Sequence, residues 1–170
     1  MVGGGEGNSV SGLFSSVNGG SYNIVTYQSS VIGGGSDNTV GGYSSVVSGG
    51  SSNRVFAEYS VIAGGSENTV TGVNSVIGGG TYNSAFGVNS AVCGGNYNTV
   101  TGENAVIAGG SNNYAEAENS AVGGGRYNSA YGSHGVVSGG FWNTASANFS
   151  IVGKATRLCA HLRAKTVLSL

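Results

Sequence analysis

Ser75–Asn89 reads SVIGGGTYNSAFGVN, and the fifteen residues on either side repeat it: Ser60–Asn74 is SVIAGGSENTVTGVN and Ser90–Asn104 is SAVCGGNYNTVTGEN. The unit recurs without slippage from Met1 to about Gly153. Full copies start at Ser15, Ser30, Ser45, Ser60, Ser75, Ser90, Ala105, Ser120 and Gly135. A first copy lacks only its first residue, and a fragment starts at Ser150. A repeat of this regularity decides the architecture before any single residue is weighed. With Ser75 as position 1, positions 5 and 6 are Gly-Gly in all ten copies, from Gly4-Gly5 to Gly139-Gly140. Position 9 is Asn in every copy: Asn8, Asn23, Asn38, Asn53, Asn68, Asn83, Asn98, Asn113, Asn128 and Asn143. Position 3 is Val or Ile, position 11 is Val or Ala, and position 13 is Gly or Ala except at Tyr27.

A helix does not fit, because each Gly in a helix interior costs about 1 kcal/mol relative to Ala. Two short β-prone runs do fit: S-V-I at positions 1–3 and T-V-T at positions 10–12, each bounded by turn residues. In the turn G-G-x-x-N, Gly supplies backbone freedom and Asn tolerates the left-handed region. Two strands and two turns in one unit make one coil of a parallel β-solenoid, all-β, with about ten coils. At about 4.8 Å per coil the rod is roughly 48 Å long. Stacking turns the Asn column, Asn38 to Asn128 at its centre, into an expected ladder in which each amide donates to the next.

Composition narrows the function classes. The chain has 170 residues, 34 Gly and no Pro, and the period is 15 rather than 3, which excludes collagen. A net charge of −1 offers no basic surface for a nucleic acid. The charge is uneven: residues 1–153 hold seven acids against Arg54 and Arg126 (−5), and residues 154–170 hold Lys154, Arg157, Arg163 and Lys165 (+4). This divides the chain into a repeat domain, 1–153, and a basic tail, 154–170. Cys93 and Cys159 fit two free thiols rather than a disulfide framework. Met1 opens directly into the repeat without a basic and apolar leader, and no run of about 18 apolar residues suggests a transmembrane helix. Export signals are therefore expected to lie outside this stretch or to be unused. The first coil begins without a cap, so the expectation is a longer natural chain or end-to-end stacking.

Strand residues alternate between faces, so if positions 3 and 11 point inward, position 2 points outward. Position 2 is nonetheless Val31, Val46, Val61, Val76, Val106 and Val136, with Ala91, Ala121 and Ile151 between and beyond them. A strand apolar on both faces is a strand buried on both faces. The expectation is self-association along this stripe. The S-V-I-G…N-T-V-x-G pattern resembles the head repeats of trimeric autotransporter adhesins, the YadA-like β-roll, and related Gly-Gly-x-x-Asn repeats resemble those of phage and large-virus fibre proteins. The matching positions are the Val/Ile pair at 2–3, the Gly at 5 and the small residue at 13, over about 150 of the 170 residues. The resemblance implies a left-handed parallel β-roll, three chains about one axis, exposure at a cell or virion surface, and a role in attachment. The unit here is longer than the usual head unit and adds the Gly doublet and the unbroken Asn column.

No residue set reads as an active site, and none implies a cofactor or a metal. His134 occupies position 15, which is Asn in four earlier copies, and reads as a turn residue. The Gly pairs lack the Lys-Ser/Thr of a phosphate loop, and Glu116 and Glu118 read as a solvated tip rather than an acid–base pair. The candidate ligand site is position 8, where Tyr22, Tyr82, Tyr97, Tyr127 and Trp142 offer stacking platforms for a surface glycan or a protein receptor. The competing reading is packing between chains. Thr69/Thr71 and Thr99/Thr101 suggest an ice-binding face, but Phe56, Phe86, Glu116 and Tyr131 interrupt it. Past Lys154 the tail reads either as a short basic helix, with Leu158 and Leu162 four apart, or as an irregular end. The sequence therefore points to a non-enzymatic attachment fibre head. The alternatives are a structural filament or coat element and, further off, an ice-binding protein.

Overall fold

The computed structural model describes residues 1–157, 159–160 and 167–168. The central copy supplies two two-residue strands, Val76–Ile77 and Ser84–Ala85. Each pairs in parallel with its counterparts one repeat away: Val76 lies opposite Val61 and Ala91, and Ala85 opposite Val70 and Val100. Among the described residues this builds two eleven-stranded parallel sheets, one from positions 2–3 and one from positions 10–11. The fold is a parallel β-solenoid of about ten 15-residue coils, without helix among the described residues. No helix there is long and apolar enough to cross a membrane. A third line of contact runs up the rod where single parallel bridges join position 7 of successive copies, from Glu6–Ser21 to Arg126–Phe141.

The strands are one residue shorter than the β-prone runs because the chain must turn sharply at both edges. Positions 8 and 15 take left-handed conformations in every copy, as at Tyr82 (φ 54) and Asn89 (φ 53). The left-handed residue is thus the one before the invariant Asn, not the Asn itself, as the G-G-x-x-N reading had suggested. That one-residue offset turns the Asn side chain into the coil. The second Gly of each pair is a steric requirement: Gly80 has φ 87, and a Cβ there would lie 2.0 Å from the carbonyl oxygen of Gly95.

Four side chains per coil fill the interior. In the central copy these are Ile77, Ala85, Asn83 and Ser75, all with no exposed surface. Each buried Val or Ile contributes about 1.5–3 kcal/mol of transfer free energy. The other half of the interior is polar, and each donor or acceptor left unmatched there costs stability. Asn83 Nδ2 donates to the carbonyls of Gly79 (3.0 Å) and Gly95 (2.9 Å), and Asn83 Oδ1 accepts the backbone N–H of Asn98 (3.1 Å). The expected amide-to-amide ladder is therefore mostly a side-chain-to-backbone ladder, with secondary Nδ2–Oδ1 contacts such as Asn98 to Asn83 at 3.2 Å. A ladder at position 1 was not read from the sequence. Ser75 Oγ donates to Gly87 O (2.8 Å) and accepts the N–H of Ser90 (2.9 Å).

Of the tail, Ala155–Thr156, Cys159–Ala160 and Val167–Leu168 are strands that carry the solenoid one coil further. Val167 pairs with Ile151, an offset one residue longer than the repeat. A helix is not what these residues form. Leu158 and Leu162, on which that reading rested, lie outside the described residues.

Candidate functional site

Position 8 stands at the corner between the position 7 bridges and the second sheet. Its left-handed backbone is ordinary for Gly or Asn and costs a bulky side chain of order 1–2 kcal/mol. Tyr22 (φ 55), Tyr82 (φ 54), Tyr97 (φ 56), Tyr127 (φ 57) and Trp142 (φ 59) all stand there. Tyr127 is half-buried and the other four are exposed. Four of the rings meet in two pairs along the rod. Tyr82 and Tyr97 lie face to face, with centroids 4.8 Å apart and planes 4° apart. Tyr127 and Trp142 lie 5.5 Å apart, tilted by 35°. The faces between stacked rings are therefore occupied, and the column offers ring edges and hydroxyls rather than open platforms.

The column differs in polarity along its length. Tyr82 Oη donates to Glu67 Oε1 (2.7 Å) and Tyr22 Oη donates to Glu6 Oε1 (3.1 Å). The hydrogen bond to Glu67, reinforced by that carboxylate's charge, holds the Tyr82 phenol above its ordinary range. Further along, Arg126 lies over the Tyr127 ring (4.9 Å) and Arg157 over the Trp142 ring (5.3 Å). Phe141 packs edge-on against Tyr127 at 6.0 Å and tilted against Trp142 at 5.4 Å.

No family model and no curated protein matches the chain. The resemblance to adhesin head repeats is therefore carried by the repeat pattern alone.

The position 2 row faces outward from the first sheet. Val31, Val46, Val61 and Val136 are half-buried, shielding one another along the ladder, and Val76 (42%), Val106 (38%) and Ile151 (44%) are more exposed. Beside it, position 4 never exceeds Asn18 in size. At Gly64 and Gly94 in position 5 an added Cβ would meet nothing within 4 Å. The result is a shallow apolar strip along the rod. On the second sheet, Phe56, Phe86 and Tyr131 project between the Thr residues, so the Thr rows do not form a continuous flat face.

At the far edge, His134 adopts φ 58, in keeping with a turn role. Its ring stacks on Phe149 at 4.7 Å, with Nδ1 2.9 Å from Ser133 Oγ and Nε2 3.3 Å from Asn119 Nδ2, which also donates to Glu118 Oε1 (3.0 Å). With Asn119 as donor, Nε2 accepts and Nδ1–H donates to Ser133, which leaves that hydroxyl unactivated. The cluster joins positions 14 and 15 of three successive copies, a juxtaposition that gave no signal in the sequence. Among the described residues no three His, Cys, Asp or Glu side chains gather into a cation site.

Proposed function

We propose that this chain is a non-enzymatic attachment module: an oligomeric β-roll at a cell or virion surface whose turn residues meet a glycan or protein receptor. One observation carries the reading. The apolar position 2 row runs beside small residues from one coil to the next, a surface that monomers avoid and that a second rod with the same pitch can cover. Roughly 48 Å of strip about 10 Å wide on each partner approaches the lower limit of about 1,000 Å² for a specific interface. Association in threes is the form that the repeat resemblance implies. It leaves the position 8 corner outward on every chain, which is where the reading places receptor contact.

Sedimentation equilibrium at micromolar protein tests the oligomer. A stable assembly that dissociates in Val76→Lys/Val106→Lys supports the reading, and a monomer with the native sequence sinks it. Adhesion of the purified rod to immobilised glycans and matrix proteins tests attachment. A rod that adheres to none and instead forms long polymers by electron microscopy would be a coat or filament element.

A further inference from the structure

The charges divide the rod lengthwise. Glu118 is the last acid in the chain: before residue 119 stand all seven acids and only Arg54, and after it stand five cations and no acid. At the basic end three successive coils bring Arg126, Tyr127, Phe141, Trp142, Lys154 and Arg157 to the position 8 corner and its borders. Trp142 is half exposed, and Arg126, Lys154 and Arg157 are exposed. Arg126 donates weakly to the Tyr127 hydroxyl (3.4 Å). None of the three cations has a carboxylate partner among the described residues. A guanidinium lying over a ring uses its face and, apart from the long Arg126 bond to the Tyr127 hydroxyl, leaves N–H groups along its edge to take a carboxylate or sulfate.

We propose that the corner formed by Arg126, Tyr127, Phe141, Trp142, Lys154 and Arg157 binds an acidic polysaccharide lying along the rod axis. This names the ligand class of the attachment reading and rests on it. The arginines take the anionic groups, and the exposed indole and half-buried phenyl give the sugar C–H surface an apolar van der Waals contact. Coils rise by about 4.8 Å, close to the length of one sugar in an extended chain, so successive sugars can meet successive coils. The footprint is about three coils, or about 14 Å. A nucleic acid fits less well. Its affinity grows with the number of phosphates neutralised, and two or three contacts contribute little, while the Trp142 faces on which bases would stack already meet Tyr127 and Arg157. The acidic half of a second copy also fits less well, because Glu6 and Glu67 in that column are already hydrogen-bonded to Tyr22 and Tyr82.

The test measures binding of the full chain to dextran sulfate, to a polyuronate and to unmodified dextran, at low and physiological salt. Binding to one or both charged polymers and not to dextran, weakening with salt, is expected. The tighter of the two identifies the anion as sulfate or carboxylate. Arg126→Ala and Arg157→Ala are each expected to weaken binding about fivefold. Trp142→Asn, which suits the left-handed backbone while removing the ring, is expected to weaken it by a similar factor. All three positions are on the surface, so unchanged thermal unfolding serves as the folding control. Equal binding to dextran, undiminished binding in the double arginine variant, or tighter binding to oligothymidylate than to either polysaccharide overturns the proposal. So does low-salt self-association, abolished by the arginine changes, without polymer binding. Adhesion that survives the double variant overturns this site and leaves the attachment reading standing. Polymer binding in solution without any adhesion does the reverse.

Discussion

The two edges of the coil close with different polar ladders, and only one tolerates interruption. On the Asn edge, position 9 is Asn in every copy, and from Asn8 to Asn128 each Asn satisfies two Gly carbonyls and one backbone N–H, as Asn83 does for Gly79, Gly95 and Asn98. On the Ser edge, the ladder runs from Ser15 to Ser90 and then meets Ala105 and Gly135. There the backbone has a local substitute: the N–H groups of Ser120, Gly135 and Ser150 bond to the carbonyls of Ala117, Gly132 and Ala147, three residues back. The Oγ atoms of Ser120 and Ser150 are left buried without a partner. A buried polar group is irreplaceable when it is the sole partner of several backbone groups, and dispensable when the chain can bond to itself instead.

The largest effect should follow from Asn83→Ala. It orphans the Gly79 carbonyl and the Asn98 N–H and leaves Gly95 O with the Thr81 N–H alone, and it should cost about 3–5 kcal/mol in urea unfolding. A cost near that of a single hydrogen bond would mean that the Asn edge also has a substitute. Next comes Gly95→Ala, whose Cβ would lie 2.1 Å from Gly110 O at φ 88, with an expected loss of about 2–4 kcal/mol. Its neighbour Gly94, with open space around the missing Cβ, should accept Ala within about 0.5 kcal/mol. On the Ser edge, Gly87→Ala should cost less than Gly95→Ala, since Ala57, Ala117 and Ala147 already occupy its equivalent position. Equal losses at the two edges would erase the contrast. Smaller again, Ser75→Ala should lose about 1 kcal/mol and Ala105→Ser should gain about as much by rejoining the ladder.

The smallest effect concerns pH. Glu67 raises the Tyr82 phenol, so the folded state favours the protonated form. The stabilisation is complete below the ordinary tyrosine pKa of about 10 and is lost as pH rises through the folded value. Ultraviolet titration should show one tyrosine ionising late in the native chain and earlier in Glu67→Gln. No change on substitution would remove Glu67 as the cause.

Coil length, the strand positions and the inward Val/Ile and Val/Ala columns were legible because a 15-residue period aligns identical environments. The Ser ladder was not. Ser at position 1 reads as a strand or turn residue, and only the approach of Gly87 O and Ser90 N–H from neighbouring coils reveals its role. The left-handed residue was placed one position late because Asn is the usual occupant of that conformation, yet here Asn is needed inside and the residue before it, Tyr or Trp in five copies, takes the left-handed backbone. The position 8 column was legible as exposed aromatics, but not as a stack with its faces closed. Ring-to-ring contact between copies depends on side-chain direction at a left-handed corner. The cation–aromatic corner joins residues up to 31 positions apart in the chain, from Arg126 to Arg157, with ordinary spacing between them.

By itself, the sequence of Ser75–Asn89 and its neighbours determined a parallel solenoid, because only stacked coils give ten Gly pairs and ten Asn residues equivalent surroundings. Tertiary structure decided which polar atoms are shared between coils, which turn residue takes the left-handed backbone, and which aromatic faces remain free. Those outcomes depend on atoms that meet across coils rather than along the chain, and no single copy contains both partners.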